Sequence, residues 1–146
     1  MNHRRPGIEL IQARALIANL STAAFLVDND GALLFYNGAA EDLLGLRFEE
    51  AGRMEPDEWG TRFRPRRPGG RALEVEELPL TIALRRGRPG HARMEITGAD
   101  GSDHLIEVSA MPIFSRDGQN GAFAIFWPSD SGSPTKRQTR RASRRA

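Results

Sequence analysis

The sequence predicts an α+β fold: a five-stranded antiparallel sheet with helices inserted between strands two and three, preceded by an N-terminal amphipathic helix. Three observations carry this. Two short apolar runs flank Asp28-Asn29-Asp30-Gly31, the pattern of a hairpin whose turn glycine supplies a positive φ. Three longer runs near the end are separated by Asp100-Gly101 and by Asp117-Gly118-Gln119-Asn120-Gly121. The stretch between the two groups carries helical periodicity and helix-stopping glycines.

Each element has its own reason. Residues 1–7 read as a frayed end. Over residues 8–20, Leu10, Ala13, Ile17 and Leu20 follow the spacing of one helical face, with Gln12, Arg14 and Asn19 opposite. Thirteen residues are marginal as an isolated helix in water. This helix must therefore dock on its own sheet or on a second copy. Strands are expected at about 24–28 and 32–36. Asn37 is suited to cap the next helix, Gly38 to Leu44, because its side-chain oxygen can accept a backbone N–H two or three residues on. Gly45 then closes that helix in the left-handed conformation. Residues 46–77 are polar and irregular, with single helical turns expected at 49–51 and 57–62. Leu78 to Arg86 reads as a helix stopped by Gly87.

The last three strands are His91 to Thr97, Asp103 to Ile113 and Ala122 to Trp127. In the first, Ala92, Met94 and Ile96 alternate with Arg93 and Glu95. In the second, Ile106, Val108 and Ala110 alternate with Glu107 and Ser109. The third, Ala-Phe-Ala-Ile-Phe-Trp, is apolar on both faces and should lie in the middle of the sheet, covered on both sides.

Composition narrows the function. The 146 residues include no cysteine, which removes disulfides, zinc-thiolate and iron–sulfur sites and thiol nucleophiles, and fits a reducing cytoplasm. No run is long and apolar enough to span a membrane, and the N-terminus lacks a signal-peptide pattern. The isoelectric point of 9.9 belongs to the end of the chain. Residues 131–146 hold six positives and no acid, so residues 1–130 keep 15 basic and 19 acidic side chains, a net of −4. After Trp127 no aliphatic side chain exceeds alanine, and disorder is expected over 128–146. The expected organisation is a helix over 1–20, a folded body over 21–127 and a basic tail over 128–146.

The order and spacing of motifs resemble the PAS family across about residues 20–127. The stretch Phe25 to Leu46 carries Asp28, Gly31, Asn37, Ala40, Leu44 and Gly45 where that family's opening places them. Residues 77–90 are similar to the connecting helix of a bacterial PAS subgroup, and residues 100–126 to its final hairpin. The exit motif Asp-Ile-Thr, common in members that feed an effector, is replaced by Phe126-Trp127-Pro128-Ser129-Asp130. No kinase, cyclase or DNA-binding domain follows, so the expectation is a PAS domain standing alone. The resemblance implies a cytoplasmic sensor or interaction module that binds a ligand or a signalling protein, forms a homodimer and performs no catalysis.

It also implies a pocket between sheet and helices. The strand candidates are Val27, Leu34, Tyr36, Met94, Ile106, Val108 and Ala110; the helical and loop candidates are Leu43, Leu44, Trp59, Phe63, Leu80 and Ile82. A dry packed core is the alternative role for the same residues. Family members commonly dimerise through the N-terminal helix, which makes Leu10, Ala13, Ile17 and Leu20 the candidate interface. Light-sensing members of the flavin type form an adduct on a cysteine, and that chemistry is excluded here, whereas non-covalent flavin is not. Haem-binding members use a histidine on the helix before the last three strands. The nearest histidine, His91, falls on a strand beyond Gly87, Pro89 and Gly90. The cofactor remains unspecified and the expectation is none, with haem or flavin redox sensing as an alternative.

Other motifs are weighed on chemistry. His3 and His104 lie apart from His91 and make no metal site. Asp28-Asn29-Asp30-Gly31 superficially matches the start of a calcium loop, but position 39, where the bidentate Glu would fall, is alanine. Arg62, Arg64, Arg66, Arg67 and Arg71 precede Glu74, Glu76 and Glu77, which reads as a self-neutralising loop. The tail has no such compensation. Lys136 to Arg145 could hold nucleic acid or an acidic surface weakly and salt-dependently, which makes a nucleic-acid-associated regulator the second alternative. Arg140-Arg141-Ala142-Ser143 also matches a basophilic kinase site.

Overall fold

The computed structural model describes residues 7–129. Residues 130–146, with the expected nucleic-acid contact and kinase motif, lie outside the described residues, as do residues 1–6. Of the tail expected to be disordered over 128–146, Pro128 instead ends the last strand and the Ser129 N–H donates to the Leu105 carbonyl at 2.9 Å.

Five strands form one antiparallel sheet in the order β2-β1-β5-β4-β3: β1 is Ala23–Val27, β2 Leu33–Tyr36, β3 Gly90–Thr97, β4 Asp103–Ser115 and β5 Gly118–Pro128. The strand that is apolar on both faces, β5, is the central one. Its Ala122, Ala124 and Phe126 join the core on one face, and its Phe123 and Ile125 pack into a second apolar layer on the other.

The inner face is covered by α2 (Gly38–Leu44), α3 (Phe48–Ala51), α4 (Pro56–Phe63) and α5 (Pro79–Arg86), all inserted between β2 and β3. Their ends follow simple chemistry. The Asn37 side chain accepts from the Ala40 N–H at 3.1 Å, and Gly45 closes α2 at φ 70°. Both α4 and α5 begin with proline at the first helical position, where no N–H is needed. Gly87 ends α5 at φ 62°. The end of α4 breaks the pattern: Arg64 takes the left-handed conformation at φ 51°, the one non-glycine with positive φ among the described residues.

The outer face is covered by α1 (Ile8–Ala18). Its Leu10 and Ile17 are 4% and 2% exposed, packed over Ala24 and Leu26. The helix thus docks on its own sheet.

Several element ends lie a residue from the sequence expectation, and four differences have a visible cause or consequence. The N-terminal helix stops at Ala18, and Leu20 is exposed. The first hairpin closes through a five-residue loop, Asp28 to Ala32, because the Asp28 carboxylate accepts from both the Asp30 and Ala32 N–H groups. The strands accordingly begin and end one residue away from the two-residue turn geometry. Residues 119–121 belong to β5 instead of a turn. Their polar groups find tertiary partners: Asn29 accepts from the Gly121 N–H at 2.6 Å and donates to the Gln119 carbonyl at 2.9 Å. Finally, β4 extends to Ser115, since the final turn needs only Arg116 and Asp117.

Candidate functional site: a core cavity and an apolar helix

Between the sheet and α4–α5 lies a cavity of about 60 Å³, lined entirely by apolar side chains and by proline. Trp59, Phe63, Leu80, Met94, Ile106 and Val108, all expected from the sequence, line it. The sequence reading missed Phe25, Ile96, Ala124 and Phe126 on the strands, and Pro65, Leu78 and Pro79 on the helical side. Phe25 forms its aromatic centre: the ring stands edge-on to Trp59 at 6.1 Å and to Phe126 at 5.3 Å. Strict alternation from Val27 along β1 would have found Phe25.

The other expected lining residues lie elsewhere. Val27, Tyr36, Leu44 and Ala110 are buried in the inner core but away from the cavity, with Leu43 packed beside them. Ile82 sits on α5 against Gly90. Leu34 is on the opposite face of the sheet, packed with Phe35 in the layer under α1. The cause is a β-bulge. Tyr36 pairs with Phe25, Phe35 with Leu26 and Leu33 with Val27, which leaves Leu34 without a partner and breaks the alternation of faces.

Tyr36 is fully buried and donates to the Leu46 carbonyl at 2.8 Å. Burial pushes its phenol up to about 12, with Glu41 adding to the effect. Asn37, 1% exposed, joins three elements. Its oxygen accepts from the Ala24 and Ala40 N–H groups at 3.0 and 3.1 Å. Its amide nitrogen donates to the Ile17 and Thr22 carbonyls at 2.8 and 2.9 Å. One side chain therefore caps α2, secures β1 and holds the C-terminal end of α1. A second tie runs through Arg14, whose guanidinium lies 4.3 Å over the Phe35 ring.

Of the candidate interface residues, Leu10 and Ile17 are spent on the sheet, Ala13 is half-buried beside them and Leu20 is 38% exposed. The opposite side of α1 nevertheless exposes large apolar side chains beside Gln12. Ile8, Ile11 and Leu16 are 62%, 58% and 66% exposed, and Ile8, Ile11 and Ala15 follow helical i, i+3, i+7 spacing.

The remaining sequence candidates are placed as follows. His91 is on β3 with its ring 3.1 Å from Glu107 and 6.3 Å from the Trp127 ring, on the exposed side and outside the cavity lining. Among the described residues no cluster of His, Asp or Glu could hold a metal. The arginine loop is neutralised much as its composition implied. Arg67 and Arg71 reach Glu77, Arg85 reaches Glu76, and Arg66 lies 3.2 Å from Asp103 and 3.8 Å from Glu95. No helix among the described residues is long and apolar enough to cross a membrane.

A five-stranded antiparallel sheet, crossed on one face by short helices over an apolar cavity and on the other by an N-terminal helix, is the architecture of the PAS fold. A family model described as the PAS fold matches residues 12–127, and the chain belongs to the PAS family, whose members serve as sensory and interaction modules in signalling. Its fold is similar to the PAS domain of nitrogen regulation protein NR(II) from Vibrio parahaemolyticus, at 19% identity and a TM-score of 0.58 over 80% of this chain and 97% of that one. It is also similar to the PAS domain of Bordetella pertussis BvgS, at 13% identity and 0.60 over 96% and 100%. The Rhodobacter sphaeroides LOV protein matches at 17% identity and 0.65 over 87% and 71%. These identities show a shared fold alone. No curated protein matches the chain.

Proposed function

We propose that this PAS protein is a homodimeric signalling module that works by binding and not by catalysis, with α1 as the element that pairs two copies. The observation that carries the reading is that α1 carries apolar side chains on two sides, with Glu9, Gln12 and Arg14 interspersed. One side is buried on its own sheet, while Ile8, Ile11 and Leu16 face outward at about 60% exposure. A helix of this kind is normally covered on both sides. Covering each exposed Ile or Leu contributes roughly 1–2 kcal/mol, and a two-fold pair covers every such residue twice. Because Leu10 and Ile17 serve the sheet, the contact face consists of Ile8, Ile11 and Leu16, with Leu20 at its edge.

The signal that suits the cavity is a small apolar molecule, because every lining residue is apolar. At about 60 Å³ the space is far below the roughly 300–1,000 Å³ of drug-sized ligand sites, and no histidine lines it. A cavity of this size does not suit a porphyrin or a flavin ring, which supports a module that carries neither. The purified protein is therefore expected to be colourless. A Soret band or flavin spectrum would overturn that part of the reading.

Sedimentation equilibrium tests the dimer. The native chain is expected at twice 16.2 kDa, and Ile11→Asp with Leu16→Asp at the monomer mass with an unchanged far-UV spectrum. A native monomer at tens of micromolar, or a variant that still pairs, would defeat the proposal.

A further inference from the structure

Two charges in the arginine loop, Arg62 and Arg64, make no ion pair among the described residues, and of these Arg64 alone lines a cleft. Arg66, Arg67, Arg71 and Arg85 each reach a carboxylate. Arg64 is also the residue at φ 51°, where a Cβ crowds the backbone and glycine is the default. An arginine kept at a position that glycine would occupy with less strain, its charge unspent, points to a contact outside the chain.

Arg64 stands at the rim of a cleft of about 850 Å³ between α4 and α5. The cleft is distinct from the core cavity, but the two share a wall made of Trp59, Pro65, Leu78 and Leu80. Its volume is of the order found for small-molecule sites, roughly 300–1,000 Å³. That wall, with Val27 and Leu84, gives it an apolar floor. The remaining rim charges order it. Asp30 and Asp57 lie near the β1–β2 turn, where Pro56 and Leu84 pack on Gly31 and Trp59 donates to the Gly31 carbonyl at 3.0 Å. Their carboxylates repel an anion at that end. Arg85 is engaged by Glu76 at 3.7 Å. Among the described residues that line the cleft, the cation without an ion pair is Arg64, at the end where α4 terminates.

We propose that the α4–α5 cleft binds a small organic acid, its carboxylate on Arg64 and its apolar body on Trp59, Leu78 and Leu80. The site is independent of the dimer reading, since no residue of α1 lines it.

The test uses the full chain, labelled with nitrogen-15 and titrated with 4-phenylbutyrate and with neutral 4-phenylbutyramide. Saturable amide shifts are expected over residues 57–66 and 78–85, with the acid binding at least about tenfold tighter than the amide, as expected for one charge-assisted contact. Arg64→Gly is expected to abolish that preference while keeping or raising the melting temperature, because glycine adopts the positive φ without strain. Arg64→Lys retains the charge and is expected to retain most of the preference. The proposal is overturned if acid and amide bind alike, if Arg64→Gly binds as the native protein does, if the shifts fall on α1 or the inner strands, or if no saturable shift appears.

Discussion

The substitution Asn37→Asp separates the two halves of the Asn37 junction. A carboxylate still accepts from the Ala24 and Ala40 N–H groups, so the cap of α2 and the tie to β1 survive. The donor bonds to the Ile17 and Thr22 carbonyls are lost. The Ile17 carbonyl keeps the Leu20 N–H at 3.1 Å, whereas the half-buried Thr22 carbonyl loses its Asn37 donor, at about 1–3 kcal/mol. The new carboxylate, at a site 1% exposed, also faces those two carbonyl oxygens. A total of about 3–5 kcal/mol follows, against the 5–15 kcal/mol by which domains are typically stable. The loss should be local. Hydrogen exchange resolved by segment is expected to show lost protection over residues 8–20 and retained protection in the first turn of α2. Asn37→Ala, which removes the acceptor as well, is expected to expose both. The pH dependence has a definite sign. Burial beside carbonyls raises the introduced carboxyl in the folded state above its unfolded value of about 4. The native fold then loses stability as pH rises past that value and regains it as pH falls toward it, where the protonated carboxyl donates to one carbonyl. Measured as the difference from the native protein in urea unfolding, the penalty should shrink between pH 7 and pH 5. A variant within 1 kcal/mol of native at pH 7, or one in which α1 and α2 lose protection equally, would refute the reasoning.

Three further outcomes follow from the geometry. Gly121→Ala places a Cβ 2.5 Å from the Val27 carbonyl oxygen and 2.9 Å from a Leu10 methyl, at φ 89°, so it is expected to cost at least about 3 kcal/mol in chemical denaturation and to loosen α1; a near-native midpoint contradicts this. Tyr36 is the chain's single tyrosine, so absorbance at 295 nm reports it alone, and the phenol is expected to ionise near pH 12 in the folded protein. Its folded value lies above the unfolded value of about 10, so stability is unaffected below pH 10 and falls by about 2–3 kcal/mol as pH rises toward 12; ionisation near 10 in protein that is still folded would contradict it. Arg14→Ala is expected to lose about 0.5–1 kcal/mol of stability through its contact with Phe35, checked by thermal melts of Arg14→Ala and of the double variant with Phe35→Leu; additivity of the two substitutions would show that the contact carries nothing.

How much of this is written in the sequence varies by the kind of signal. Local chemistry is legible. Asn37, Gly45 and Gly87 are assigned by capping rules alone, and β5 declares its central place through Phe123, Ile125 and Phe126 on opposite faces. Period-two reasoning finds Met94, Ile106 and Val108 in the cavity, since β3 and β4 alternate regularly there. It fails at Leu34, where a bulge shifts the face, because a one-residue irregularity leaves no mark in an apolar run. It fails also for α1. The sequence shows that Leu10 and Ile17 share a face, but which surface that face meets depends on the apolar layer of Leu26, Phe123 and Ile125 that only the assembled sheet creates. Residues 119–121 read as a turn from composition and become strand through Asn29, 90 positions or more away along the chain. The Asn37 amide bonds to Ile17 and Thr22 are equally non-local, so the cap is visible in the sequence and the latch on α1 is not.

The central claim is that two copies meet through the outward face of α1. The chain has no cysteine, so a single introduced cysteine can form a disulfide only with a second copy. Mild oxidation of Ile8→Cys, Ile11→Cys and Leu16→Cys is compared with Asp42→Cys, an exposed position on the α2 side of the sheet. Rapid conversion of the α1 variants to a species of twice the chain mass, with Asp42→Cys remaining single, is the result the account predicts. Equal rates at all four positions, or no product from any position on α1, would contradict it.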